Sequence, residues 1–126
     1  MVEKRRFPRH KCVIKTKFNY YEGDPDEINF DISVPLKGKG TICDISQGGL
    51  LIVSKVRVAV GMPALINFKT KKKKNSVYGR IIRTGILANN PSEVAQKLAS
   101  CEKYGDSYIA IEFKEPIELD ASELLP

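Results

Sequence analysis

Histidine and cysteine are scarce in this chain, and both scarcities are informative. One histidine, His10, stands against three cysteines, Cys12, Cys43 and Cys101. An odd, widely spaced set without a CxxC pair does not describe a disulfide framework. With a single histidine and no CxxC pair, it does not describe a zinc site either. A Ser-His or Cys-His hydrolase is equally poorly served. The expectation for the three thiols is that they are reduced and half-buried, as in a cytoplasmic protein. Long apolar runs are also missing. No stretch approaches the roughly 20 residues a membrane helix needs. The charged opening Met1-Val2-Glu3-Lys4-Arg5-Arg6 has no apolar run behind it, so no secretory signal is expected.

What the chain does have is a basic surplus. Its 126 residues carry 21 Lys+Arg against 15 Asp+Glu, a net charge of +6, and 42% hydrophobic residues. That length suits one domain with a real core, and that apolar content excludes wholesale disorder. The charge is uneven. Lys4, Arg5, Arg6, Arg9, Lys11, Lys15 and Lys17 face only Glu3 in the first 17 residues. A second run is Lys69 and Lys71 to Lys74, while the C-terminus gathers Glu112, Glu115, Glu118, Asp120 and Glu123. A basic N-terminal segment points to an anionic partner. Charge alone does not choose among nucleic acid, a membrane surface and a phosphate ligand.

Periodicity gives short strands. Cys12, Ile14, Thr16, Phe18 and Tyr20 alternate with Lys11, Val13, Lys15, Lys17 and Asn19, which predicts a half-buried strand. Glu22 to Asp26 reads as a loop. Alternation returns at Ile28, Phe30, Ile32 and Val34 and stops at Pro35. Gly38-Lys39-Gly40 reads as a break before a short Thr41-Ile42-Cys43 strand. Asp44 to Gly49 reads as a glycine-ended connection, and Leu50 to Val53 as an apolar strand. After Gly61-Met62-Pro63, Ala64 to Phe68 forms a strand that runs into the lysine tract. That tract suits a hairpin tip, where water screens like charges. Val77–Thr84 and Tyr108–Phe113 read as the last strands. One helix is expected over 91–103, with Asn90 as N-cap, Pro91 at the first helical position and Gly105 as C-cap. The pattern predicts a small antiparallel barrel or sandwich.

Two clusters carry chemistry. In Arg5-Arg6-Phe7-Pro8-Arg9, planar guanidiniums can grip the O6 and N7 of guanine, stack on a base or fork onto phosphate. The plainer reading is a solvated tail ahead of the first strand. In Asp44-x-Ser46-x-x-Gly49, a carboxylate and a hydroxyl can read the N1–H and N2–H₂ edge of guanine. Gly48 and Gly49 would let the backbone turn and approach a ligand. The plainer reading is an Asx-type turn. Asp31-Ile32-Ser33 begins the same way but reaches Leu36 instead of glycine, and it reads as strand.

An Arg-x-x-x-Arg about 35 residues ahead of Asp-x-Ser-x-x-Gly, with strands around both, resembles the PilZ domain family. Arg5 and Arg9 match the ends of its RxxxR motif, and Asp44, Ser46 and Gly49 its (D/N)xSxxG motif. Leu50-Leu51-Ile52, Gly61, Gly79-Arg80-Ile81-Ile82-Arg83 and Ile109 to Phe113 look like the family's later strands, so the likeness spans roughly residues 3–115. The resemblance implies a mainly β fold: a six-stranded antiparallel β-barrel of split-barrel type, here with one short helix around 91–103 between the last two strands. It implies a receptor for cyclic di-GMP, a bacterial second messenger, commonly bound as an intercalated dimer. Arg5, Arg6, Arg9, Asp44, Ser46, Gly48 and Gly49 would hold the ligand.

The expected organisation is a mobile basic arm over 1–10, a barrel over 11–115 and an acidic tail over 116–126. The arm is expected to become fixed on binding and to signal to a protein partner whose identity the sequence does not give. No enzyme, metal or cofactor is expected, because neither cluster holds a positioned general base or a metal set. The expected location is cytoplasmic. Two alternatives stand beside this reading. A small basic barrel could bind single-stranded nucleic acid, with Phe18, Tyr20 and Tyr21 near Lys15 and Lys17. Asp44 beside the basic surface disfavours that. A degenerate PilZ adaptor could make only protein contacts, but the intact motifs count against it. For the lysine tract, a docking patch for an acidic partner or anionic lipid is the alternative to a solvated tip.

Overall fold

Six strands follow one another along the chain, and their alternating apolar positions dictate how they close. The computed structural model describes residues 8–22, 35–71, 73–86 and 105–119. The strands are β1 (His10–Tyr20), β2 (Leu36–Ile45), β3 (Gly49–Ser54), β4 (Pro63–Lys69), β5 (Lys74–Ile86) and β6 (Ser107–Phe113). They form a closed barrel in the order β1-β2-β3-β6-β5-β4. Every neighbouring pair is antiparallel. β1 closes the ring, because its Thr16–Tyr20 half pairs with β2 on one side and β4 on the other. Closure satisfies the backbone groups that an open sheet would leave at its edges.

The inward positions fill the barrel in layers. Ile45, Leu50, Ile111 and Ile81 are successive cross-strand partners, and so are Ile42, Ile52 and Ile109. All seven belong to the buried core, together with Phe18, Ile66, Phe68 and Phe113. Each such side chain contributes roughly 1.5–3 kcal/mol by leaving water. Ile117 and Leu119, just past β6, also pack against this core.

The six-stranded antiparallel barrel expected from the sequence is the fold observed. β2 differs in detail. Gly38-Lys39-Gly40, expected as a break, lies inside β2, which runs unbroken from Leu36. The glycines are there for proximity rather than for turning. A Cβ on Gly38 would stand 2.5 Å from the Phe18 ring, and one on Gly40 would stand 2.5 Å from Ile52. The connection expected over Asp44–Gly49 is also shorter, since Asp44 and Ile45 end β2 and Gly49 begins β3. The lysine tract is the β4–β5 hairpin tip, as expected, closed by the Thr70 N–H donating to the Lys73 carbonyl at 2.9 Å. The strand expected near Ile28–Val34, the Asp31-Ile32-Ser33 triplet, the 91–103 helix and Cys101 lie outside the described residues. Among those residues no helix is long and apolar enough to cross a membrane.

Candidate functional site

Antiparallel order sorts the connections into two ends. The start of β1, the β2–β3 turn, the β4–β5 tip and the end of β6 all leave the barrel at one end. Arg9, the described arginine of the first cluster, therefore meets the second cluster, although about 35 residues separate them. Arg9 leads into β1, and its Nη1 lies 3.7 Å from Asp44 Oδ2. The Arg9 side chain is 51% exposed and that of Asp44 19%. At that separation the contact is electrostatic rather than a forked hydrogen bond. An exposed pair of this kind contributes little stability, on the order of 0–1 kcal/mol. Arg5 and Arg6 lie outside the described residues.

A β-bulge sets the direction of Asp44. Ile42 and Ile45 are both fully buried, yet three positions separate them. In an uninterrupted strand Asp44 would share the inward face of Ile42. The register instead slips between Ile42 and Asp44 against β3, and between Lys11 and Ile14 against β1. Cys43 is the extra residue of β2 against β3, and Asp44 turns to the outer side. Bulges commonly re-aim side chains in this way. The sequence signal was the odd spacing of Ile42 and Ile45.

The bulge has two thiols beneath it. Cys12 and Cys43 are free and buried. Burial pushes both up to about 12; negative charge from Asp44 adds to this, and for Cys12 so does the neighbouring Cys43 thiol. They are neutral, unreactive thiols at neutral pH.

The turn itself is tight and held by several hydrogen bonds. The Ser46 N–H donates to the Gly49 carbonyl at 2.8 Å, so Gln47 and Gly48 form a two-residue tip. The Gly48 N–H donates to Ser46 Oγ at 3.2 Å, which fixes the hydroxyl locally. The tip carbonyls are also engaged: the Phe113 N–H donates to the Gly48 carbonyl at 2.9 Å, and the Ile117 N–H to the Gln47 carbonyl at 2.8 Å. Gly49 serves close approach of strands. A Cβ there would collide with the Ile111 carbonyl oxygen of β6. The glycine expected to let backbone approach a ligand is therefore required by the barrel wall.

Cross-strand register brings up three residues that the sequence did not single out for this site. Lys11 is the β1 partner of Asp44, and it is exposed. Glu112 is the β6 partner of Gly49, and its carboxylate receives Arg80 Nη2 at 3.1 Å. Only pairing between distant strands makes these neighbours visible. The site thus offers guanidinium, ammonium, carboxylate and hydroxyl groups at one rim. Among the described residues no three His, Cys, Asp or Glu side chains gather as a metal site.

Comparison with known proteins agrees with this fold. The family model described as PilZ domain matches residues 3–125. The structure of the Bacillus subtilis inhibitor of motility, MotI/DgrA, is similar with a TM-score of 0.60 at 15% identity. That match covers 98% of this chain and 49% of the other, so the chain spans about half the length of the Bacillus subtilis protein. The PilZ domain of YcgR from Escherichia coli, solved with c-di-GMP, is similar with a TM-score of 0.57 at 12% identity. It is covered over 86% of its length, and this chain over 97%. At these identities the two structures speak to the fold. A comparison with curated proteins finds no match.

Proposed function

We propose a receptor role for this chain, which belongs to the PilZ domain family: it binds cyclic di-GMP at the rim formed by Arg9, Asp44 and the Ser46–Gly49 turn. The observation that carries the reading is the 3.7 Å approach of Arg9 to Asp44, the meeting point of two motifs distant in sequence. The chemistry of those groups suits the ligand. Cyclic di-GMP presents two guanines and two phosphate charges. Asp44 accepts from the N1–H and N2–H₂ edge of one guanine, with Ser46 beside it. Arg9, with Arg5 and Arg6 ahead of it, supplies planar donors for O6, N7 and phosphate oxygens. The ligand binds singly or as an intercalated dimer. It fixes the arginine segment against the rim, and that ordering is the signal a protein partner reads. These groups bind and orient, and nothing in their chemistry calls for bond breaking.

Calorimetric titration with cyclic di-GMP, beside GTP and cyclic di-AMP, tests the reading. Adenine lacks the N1–H and the N2 amine, so Asp44 would face no donor. Cyclic di-AMP is expected to bind at least about 100-fold more weakly, as sites built on hydrogen bonds reject analogues that lack them. Equal binding of the two dinucleotides would mean that the site reads phosphate charge and not the base. Absence of heat with cyclic di-GMP would leave the adaptor reading in its place.

A further inference from the structure

The β4–β5 hairpin carries charge that the receptor site does not use. Lys69 and Lys74 are direct cross-strand partners at the base of its tip, and Lys71 and Lys73 lie within the tip. All four are exposed. Like charges facing each other cost a hairpin stability, so the fold gains nothing from this arrangement. The patch continues onto β1. Lys15 and Lys69 come next after the Thr16–Phe68 pair, and Lys17 lies between Lys39 of β2 and Asn67 of β4.

No acidic residue occurs anywhere in β1, β4 or β5. At this end Asp44 and Glu112 are each paired with an arginine, Arg9 and Arg80. Among the described residues no carboxylate forms an ion pair with these lysines. Glu115 and Glu118 follow β6, with Lys114 beside them.

We propose that this lysine hairpin docks the protein onto an anionic phospholipid surface. Clusters of four to eight basic residues are attracted to acidic headgroups at about 1 kcal/mol each. The patch consists of lysines, mobile point charges that suit a field of headgroups better than a fixed bidentate partner. The tip residues Thr70 to Lys73 include no apolar side chain, so the contact is adsorption and not insertion. The exposed aromatic of β5, Tyr78, stands away from the tip opposite Leu65. Among the described residues the tip itself therefore carries no stacking platform for a nucleic acid strand.

Sedimentation of the ligand-free full chain with phosphatidylcholine vesicles, with and without phosphatidylserine, tests the proposal. Using the ligand-free chain keeps the outcome independent of cyclic di-GMP binding. Binding is expected only with phosphatidylserine, and it should weaken as salt is added. The variant Lys69→Gln, Lys71→Gln, Lys73→Gln, Lys74→Gln should bind about tenfold more weakly or worse. Its urea midpoint, equal to or above that of the parent, shows that the fold is intact. If the variant were unfolded, the salt dependence of the parent decides. Binding that ignores salt, binding that ignores phosphatidylserine, or a folded variant that binds as the parent does would overturn the proposal. Duplex DNA that outcompetes the vesicles would overturn it in favour of nucleic acid.

Discussion

Two hairpins leave the same end of the barrel and are built on opposite principles. In the β2–β3 hairpin the tip has two residues, and its carbonyls are bonded to Phe113 and Ile117 of the neighbouring wall. Its charge is opposed as well as held, since Asp44 faces Arg9. The β4–β5 hairpin presents lysines opposite lysine, exposed and without a carboxylate in ion-pair contact among the described residues. The first is a fixed arrangement of different groups, which is what recognition of a shaped ligand requires. The second is a concentration of one charge, which attracts without selecting. Proximity on the barrel does not make them one site.

The largest expected effect separates the two directly. Arg5→Ala with Arg9→Ala should abolish detectable binding of cyclic di-GMP. Each lost guanidinium–base contact costs about 1–3 kcal/mol, and the pair together takes a micromolar site out of a normal titration range. The barrel should survive, because both residues precede β1. Lys71→Ala with Lys73→Ala should leave the affinity nearly unchanged. Calorimetry on both double variants checks the contrast, and equal losses from both would dissolve the distinction between recognition and attraction.

Next comes the wall behind the motif turn. Gly49→Ala drives a Cβ into the Ile111 carbonyl, a backbone atom that cannot move aside alone. A loss on the order of 3 kcal/mol in urea unfolding is expected, at the upper end of overpacking costs. Lys71→Ala on the other hairpin should stay within about 0.5 kcal/mol, as surface changes do. If Gly49→Ala were tolerated, the motif glycine would owe its place to the ligand and not to the barrel.

Much of this was legible in the sequence, for identifiable reasons. Strict alternation in β1, β4 and β6 reports a half-buried wall, so those strands read correctly. The two motifs were legible because each is local. Their meeting was not, since it depends on β1 and β2 pairing across the barrel. β2 was misread at both ends. Its glycines looked like punctuation, but Gly38 makes room for the Phe18 ring. Its bulge broke the period at Cys43, and period-two reasoning cannot say which way Asp44 faces after a slip. The Glu112–Arg80 pair and the docking of Ile117 on the Gln47 carbonyl are long-range facts with no local signature.

A more gradual effect, spread over several pH units, concerns the buried thiols. The folded chain holds the Cys12 and Cys43 thiols up to about 12, against 9.0 when unperturbed. Below about pH 9 both states keep the protons, and the thiols add no pH dependence. Above it the unfolded chain releases them while the folded chain does not. Stability should therefore fall as pH rises from about 9 towards 12, by up to about 1.4 kcal/mol per pH unit for each thiol. Urea midpoints across that range should decline less steeply in Cys12→Ala, Cys43→Ala than in the parent. Parallel declines would mean that the thiols under Asp44 are not shielded as the fold implies.

The smallest expected effect lies at the base of the lysine hairpin. Lys69 and Lys74 are opposite one another, and both are in water, so their repulsion is real but screened. Lys74→Glu turns the pair into an attractive one and should raise stability by about 0.2–1 kcal/mol, the range for cross-strand charge pairs. The gain should shrink as salt rises, because the Debye length falls from about 10 Å at 0.1 M to about 3 Å at 1 M. Lys74→Gln should give an intermediate gain, since it removes repulsion without adding attraction. Urea unfolding at low and high salt reads all three proteins. The ordering Glu, Gln, Lys at low salt, collapsing at high salt, is the signature of charge placed there against the interest of the fold. A gain that ignored salt would trace to strand propensity instead, and the hairpin would then be an ordinary solvated tip.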